Sequence, residues 1–339
     1  MDAVATGKLV VVGCGAATEQ FYLPCLAART DLAGRLLFMD LSVERAQKLA
    51  DEAGGGVATS FDDAAQQGAT AAILATPHHV HCTQALEAMD AGLDLLIEKP
   101  VTIYASEARE ISKKSKELGR IVMVNNTRRL FPAYQAIRTL IHSGELGALR
   151  SAEIYDGSSF EWPTVSGFYL TSRDAKGVLL DRGAHTIDIL TWWFGDDLSI
   201  ASAAHDGFDG PDATFHLTLK TPNGASISTK FSRLEKLSNT FELTFEHGAI
   251  KGRLFTWHKF EKKKANGPWK TISVDGFNPR NYNDFAIKMT NIFLDATFNG
   301  GESLVSPEDV VSSIQIMEEA YNSAHLFELP WYAEWEAMK

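Results

Sequence analysis

Residues 8–18 read Lys-Leu-Val-Val-Val-Gly-Cys-Gly-Ala-Ala-Thr, and the fold is decided there. Residues 8–12 form a short apolar run rich in β-branched side chains, which suit the pleat of a buried strand. The run leads straight into Gly13-Cys14-Gly15-Ala16-Ala17-Thr18. In this G-x-G-x-x pattern the two glycines supply a tight turn and let the backbone approach a pyrophosphate. The helix N-terminus that follows favours negative charge. Thr18 departs from the strict fingerprint, which has Gly or Ala there for close helix–strand packing. A second apolar run, 36–39, ends in Asp40. An acid at that point accepts hydrogen bonds from ribose hydroxyls and repels a 2′-phosphate, so NAD is favoured over NADP. Arg45 offsets part of that preference. Asp40 also lies 25 residues after Gly15, beyond the usual spacing of about 20. The competing reading of Asp40 is an N-cap for a helix over 43–52.

The pattern repeats downstream. Strands are expected at 71–75, 93–97 and 121–124, with helical patterns after Thr76-Pro77-His78-His79-Val80-His81 and over 107–118. Strands alternating with helices imply a parallel, doubly wound sheet. Ligands sit beyond the carboxyl ends of such strands, where Thr76–His81 and Glu98-Lys99-Pro100 both fall. Pro100 biases Lys99 towards an extended backbone. A lysine held there can donate to a substrate oxygen and stabilise a developing alkoxide. By residue statistics alone, it is a surface lysine in a turn.

The 339 residues exceed one compact core, so two domains are expected, at 1–126 and 127–339. A net charge of −11 argues against a nucleic-acid surface. No apolar run approaches the ~18 residues of a membrane span, and residues 1–8 lack the basic start of a signal peptide. Cys14, Cys25 and Cys82 are odd in number and form no C-x-x-C, which favours free thiols, a cytoplasmic location and no metal site.

Beyond Arg128-Arg129 the chain changes character. A helix over 134–143 gives way to strands at 151–155, 215–220, 226–231, 241–245, 249–255 and 269–274. Asn223-Gly224 and Glu246-His247-Gly248 mark hairpins, and the charged cluster 261–264 reads as a solvated turn or edge. The expectation is an α+β domain with a large, open, mostly antiparallel sheet, closed by helices over 283–298 and 307–325. An open face rich in Phe and Trp would need a partner, so a homodimer or homotetramer through this sheet is expected. The tail from 329 to 335 is unusually aromatic. Residues 176–195 carry the other chemistry. Asp181, His185 and Asp188 fall within about 60° of arc at 100° per residue, opposite Ile187, Leu190 and Phe194. A carboxylate one turn from an imidazole can orient it as a general base. The plainer reading makes Asp181 an N-cap, His185 a partly buried polar residue and Asp188 a solvated charge.

Taken together, Gly13–Ala17, Thr76-Pro77 with His81, Glu98-Lys99-Pro100 and Asp181-x-Gly-x-His185-x-x-Asp188 resemble the Gfo/Idh/MocA oxidoreductase family over nearly the whole chain. The resemblance implies cofactor contacts at Gly13, Gly15, Ala16, Ala17, Asp40, Arg45, Thr76, Pro77, His81, Glu98 and Lys99. It implies that Lys99 touches substrate and nicotinamide, that His185 is the acid/base beside Asp181, and that Asp188 supports them. Arg129, Trp162 and Tyr169, with Asp181 and His185, are the candidate substrate contacts. The aromatics at 160–169 suit the apolar face of a sugar ring or anchor their own loop. Lys176-Gly177, where Gly-Gly is frequent, and Arg182, where apolar residues are frequent, depart from the pattern. The implied activity is hydride transfer between NAD and a secondary hydroxyl or ketone of a sugar, cyclitol or sugar nucleotide. The alternatives are an NAD-dependent glycosidase working by transient oxidation and elimination, and a non-catalytic dinucleotide sensor.

Overall fold

The computed structural model describes residues 7–163, 167–208 and 210–328, so the aromatic tail and residues 1–6 lie outside the described residues. The strands are β1 (Lys8–Val12), β2 (Leu36–Met39), β3 (Gly56–Val57), β4 (Ala69–Leu74), β5 (Asp94–Ile97), β6 (Val122–Val124), β7 (Leu149–Gly157), β8 (Ser199–His205), β9 (Thr214–Lys220), β10 (Ser226–Ser232), β11 (Thr240–Phe245), β12 (Gly248–Arg253), β13 (Lys259–Lys264), β14 (Lys270–Ser273) and β15 (His325–Leu326). The helices are α1 (Leu23–Ala27), α2 (Val43–Ala53), α3 (Phe61–Gln66), α4 (His81–Asp90), α5 (Ala105–Leu118), α6 (Pro132–His142), α7 (Phe168–Thr171), α8 (Ala184–Phe194), α9 (Asn283–Asn299) and α10 (Val311–Ser323). No helix among the described residues is long and apolar enough to cross a membrane.

Two compact units form. The first holds Met1–Ala136, Trp162–Phe168 and Val274–Gln315; the second holds Ile137–Glu161, Tyr169–Ser273 and Ile316–Lys339. The first is built on a six-stranded, all-parallel sheet in the order β3-β2-β1-β4-β5-β6. Leu9, Val10 and Val11 are fully buried, because a parallel sheet is covered on both faces and its central strand is apolar throughout. The strand order reverses between β1 and β4, which is where a doubly wound sheet binds its ligand.

Helix α9 was expected to close the second domain, but it packs in the first unit. Phe285 lies 4.5 Å from Phe131, Arg29 donates to Asn291 at 2.8 Å, and the Arg35 guanidinium sits 5.1 Å over Phe298. Its apolar face finds the aromatic cluster of that unit, a partner that periodicity within α9 does not reveal.

The second unit carries a nine-stranded sheet, β14-β13-β12-β11-β7-β10-β9-β8-β15. It is antiparallel except for β10–β7 and β15–β8. The Asn223-Gly224 hairpin forms with Gly224 at φ 84°. Two expectations are corrected here. Residues 261–264 are not a turn: they lie in β13, all paired with β12, and Glu261 and Lys262 pair with β14 as well. Nor is the outward face rich in Phe and Trp. One row across it reads Ser202, Thr218, Ser228, Glu153, Glu242, Lys251 and Glu261. The side-chain period of two sends Phe215, Phe231, Phe241, Phe245 and Phe260 inward, where all are buried.

Candidate active site

The first unit builds the dinucleotide end. Gly13 sits at φ +90°, and a Cβ there would lie 2.8 Å from the Ala75 carbonyl oxygen. Both facts require glycine. Gly15 differs: a Cβ there would meet nothing within 4 Å. The protein itself leaves the outer side of the loop open, as a backbone that cradles a phosphate needs. Ala16 and Ala17 follow it into the helix. Thr18 is fully buried, and its hydroxyl donates to the Gly13 carbonyl. The departure from the fingerprint therefore closes the loop with a side-chain bond. The helix opens as a wider i→i+5 turn over Thr18–Tyr22 before continuing as α1.

Asp40 is not the cap of α2. Ser42 is, accepting from the Arg45 backbone N–H at 3.3 Å. The Asp40 carboxylate instead turns to the glycine loop. Its Oδ2 accepts from the Cys14 N–H at 2.7 Å, and its Oδ1 accepts from the Ser42 N–H and the Arg45 Nη2, each at 2.8 Å. Burial first, then the Asp40 charge, pushes the Cys14 thiol up to about 12.

The loops after β4 and β5 are tied together. Thr76 donates its hydroxyl to Gln84 at 2.6 Å. His81, expected among the cofactor contacts, is fully buried beneath the loops. Its Nε2 faces the Thr76 carbonyl at 2.8 Å, and its Nδ1 faces the carbonyls of Pro100 and Val101 at 3.1 and 3.2 Å. Burial pushes the ring down to about 4 against the pull of those oxygens. Its place is to hold the two loops, with no edge left for a ligand.

Glu98, partly buried, also binds protein groups. Its Oε1 accepts from the Tyr22 hydroxyl at 2.5 Å and from Asn125 Nδ2 at 2.7 Å, while its Oε2 accepts from the Lys99 N–H at 3.1 Å. The carboxylate serves the protein and fixes the main chain at Lys99, which is half-buried and precedes a cis Pro100. Burial, then the Glu98 charge, raises the Tyr22 phenol well above its ordinary value. Arg129 is 7% exposed and donates from Nη2 to the Asp309 carbonyl at 2.8 Å. It braces the first unit, so its expected substrate contact is withdrawn. Trp162 stacks on Phe21 with centroids 5.5 Å apart, as a loop anchor does.

The second unit presents Asp181 and His185. Lys176 stands at φ 58°, and the chain then enters a wide turn, Leu179–Gly183, continuous with α8. The extra residue in that turn voids the 100° rule before Ala184, but four residues still span about one turn. From 177 to 191 every residue is buried except Asp181, Arg182 and His185. Asp188 is 1% exposed and does not share the open side as expected. The helix is apolar all round and packs on all sides.

Buried carboxylates hold this helix. Asp212 Oδ2 accepts from the Leu179 N–H at 3.3 Å and Oδ1 from the Tyr321 hydroxyl at 2.8 Å. A Cβ on Gly177 would run into Asp212, which explains why a glycine follows Lys176. Burial raises Asp212, and burial with the Asp212 charge raises Tyr321 well above its usual value. Arg182 pairs with the fully buried Asp156 at 3.0 Å and also donates to the Ser158 hydroxyl. Thr186 donates to the other Asp156 oxygen at 3.3 Å. Arg182 is therefore an anchor to β7. Arg233 pairs with Asp181 at 3.6 Å and donates to the carbonyl of Tyr169 at 2.7 Å.

Tyr22, Asn125, Asp156, Asp212 and Arg233 were not anticipated. Two of them had a signal. The core-facing phase of β7 runs Ala152, Ile154, Asp156, and that of β10 runs Ile227, Thr229, Phe231, Arg233. A charge in a buried phase is kept only with a partner.

Comparison with known proteins agrees with this fold. Residues 8–126 match the model of the oxidoreductase family with an NAD-binding Rossmann fold, and residues 134–251 match the GFO/IDH/MocA C-terminal domain. The chain is 30% identical over 179 residues to trans-1,2-dihydrobenzene-1,2-diol dehydrogenase of Oryctolagus cuniculus, covering 52% of this chain and 54% of that one. It is 27% identical over 286 residues to inositol 2-dehydrogenase of Mycolicibacterium gilvum (strain PYR-GCK), covering 80% and 78%. The match to the diol dehydrogenases thus spans about half their length. Among solved structures, KijD10, a 3-ketoreductase from Actinomadura kijaniata in complex with NADP and TDP-benzene, superposes with a TM-score of 0.80 at 18% identity, covering 96% of this chain and 99% of that one. At that identity the likeness bears on the fold alone.

Proposed function

Because the chain belongs to the Gfo/Idh/MocA oxidoreductase family, we propose that it transfers a hydride between NAD(P) and a secondary hydroxyl or ketone of a sugar, cyclitol or sugar nucleotide. The observation that carries the reading is the helix of the second unit. Along a stretch buried on every side, the openings fall at Asp181, Arg182 and His185 alone, and Arg182 is committed to Asp156. A partly exposed imidazole one turn from a partly exposed carboxylate suits proton transfer.

In the oxidative direction His185 takes the hydroxyl proton, and Asp181 orients the groups that exchange it. Lys99 donates to the same oxygen and stabilises the developing alkoxide. Bound NAD(P) supplies the hydride acceptor. Gly13, Gly15, Ala16 and Ala17 would hold its pyrophosphate, with Thr76 and Pro77 beside it. The open side of Gly15 supports that fit. The reverse reduction uses the same groups. NAD is assigned ahead of NADP because a 2′-phosphate would approach the Asp40 carboxylate, while Arg45 is already engaged with Asp40. The cyclitol and diol named for the relatives support the substrate class. A cytoplasmic location and a homo-oligomer through the polar outer face of the second sheet belong to this proposal. Size-exclusion chromatography tests the second.

The test is His185→Ala. It should bind NADH as the parent does and lose ~10²–10⁴-fold in turnover on a panel of polyols and sugar nucleotides. An unchanged kcat sinks the assignment.

A further inference from the structure

Arg233 follows β10 in its core-facing phase, and its side chain is 5% exposed. The guanidinium carbon lies 5.1 Å from the ring centre of Phe160 and 5.9 Å from that of Tyr169. Nη1 donates to the Tyr169 carbonyl at 2.7 Å, and Nη2 lies 3.6 Å from Asp181 Oδ2. Its Nε and Nη2 have no hydrogen-bond acceptor among the described residues. The Arg233 main-chain N–H is anchored to Ala213 at 2.8 Å, so the side chain starts from a fixed point.

A buried cation with one good hydrogen bond and an ion pair too long for a second is a poor source of stability. A well-packed apolar side chain would serve the fold as well or better. What an apolar side chain cannot do is place a positive charge against Asp181 and join that carboxylate to the chain at Phe160 and Tyr169. The planar guanidinium does both, stacking on rings while its edge faces an acid. The same charge reaches Asp212, where it opposes the effect of burial. One cation thus serves both the carboxylate that caps the helix and the carboxylate displayed on it.

We propose that Arg233 is a positioning residue for Asp181, fixing the carboxylate that works beside His185 and coupling it to the aromatic residues Phe160 and Tyr169. This rests on the reading of Asp181 and His185 given above. Arg233 acts through Asp181 and exchanges no proton itself.

A double-mutant cycle on the full chain tests it, with Asp181→Asn, Arg233→Met and the pair together. NAD+ reduction is followed with myo-inositol and with UDP-N-acetylglucosamine as probes. Arg233→Met should lower kcat/KM by ~10–100-fold, the cost of a slightly misplaced site group. In the Asp181→Asn background the same change should cost less than about 3-fold, since the partner it acts through is gone. Arg233→Lys should recover most of kcat but keep a raised KM, because it restores the charge without the planar stack. Equal losses in both backgrounds would make Arg233 a purely structural residue and overturn the proposal, as would parental kinetics in Arg233→Met. If Arg233→Met does not fold, Arg233→Lys completes the cycle. The underlying reading fails separately, through full turnover in Asp181→Asn or His185→Ala.

Discussion

Acid should loosen the first unit through one imidazole. His81 is fully buried, with its ring nitrogens facing the carbonyls of Thr76, Pro100 and Val101. Burial holds its pKa at about 4, against 6.5 for a free histidine. The unfolded chain therefore binds this proton as pH falls through 6.5, and the folded chain does so only near 4. Where the unfolded state holds more protons, stability rises with pH. The folded state thus loses stability progressively between pH 6.5 and 4, and the loss levels off below 4. A difference of this size is worth about 3 kcal/mol, a large part of the 5–15 kcal/mol typical of a domain. The assay is urea unfolding of the parent and of His81→Gln at pH 7, 6, 5 and 4. The parent should lose about 3 kcal/mol more than the variant across that range. His205 and His216, also lowered by burial, are present in both chains and cancel. Parallel curves would refute the reasoning.

Lys99→Met should lower kcat by ~10²–10³-fold, as loss of one donor to a developing oxyanion does, with NADH affinity kept; parental kcat would remove Lys99 from the mechanism. Asp40→Ala should raise the NADP-to-NAD ratio of kcat/KM by about tenfold or more, since a like-charge contact is removed. A ratio that stays put would detach Asp40 from the ribose. Tyr321→Phe leaves the buried Asp212 without its 2.8 Å donor and should cost about 1–3 kcal/mol in a thermal melt.

The parallel sheet was legible because its strands are locally self-evident: apolar runs closed by Gly13, by Asp40 and by Glu98-Lys99-Pro100. Two-residue β3 and β15 have no period to read, and β8 is built from Ser and Ala with little strand preference. At the candidate site, spacing alone pointed to the tight turn at Gly13 and to the neighbouring openings at Asp181 and His185; the chemistry assigned to them is the proposal above. Other residues owe their contacts to partners that spacing does not reveal. His81 and Glu98 stand beside ligand-facing positions in sequence, yet their rings and oxygens turn to Pro100, Tyr22 and Asn125. Arg129 turns to Asp309, 180 residues away. Asp188 was placed on the open side by assuming one solvated face, and α8 has none. Direction of a side chain follows from three-dimensional neighbours, which period alone does not encode.

The helix that carries Asp181 and His185 also limits how this protein can be retuned. Any change from 177 to 191 at a buried position leaves a void or an overfilled core. Arg182, though half-exposed, is the counter-ion of the fully buried Asp156, and removing one member of such a pair costs about 3–5 kcal/mol. Within 177–191 the other partly exposed positions are the two assigned to the chemistry. New substrates would therefore have to be won on peripheral segments such as the one bearing Phe160 and Tyr169, and a library aimed at the helix would return inactive or unfolded chains.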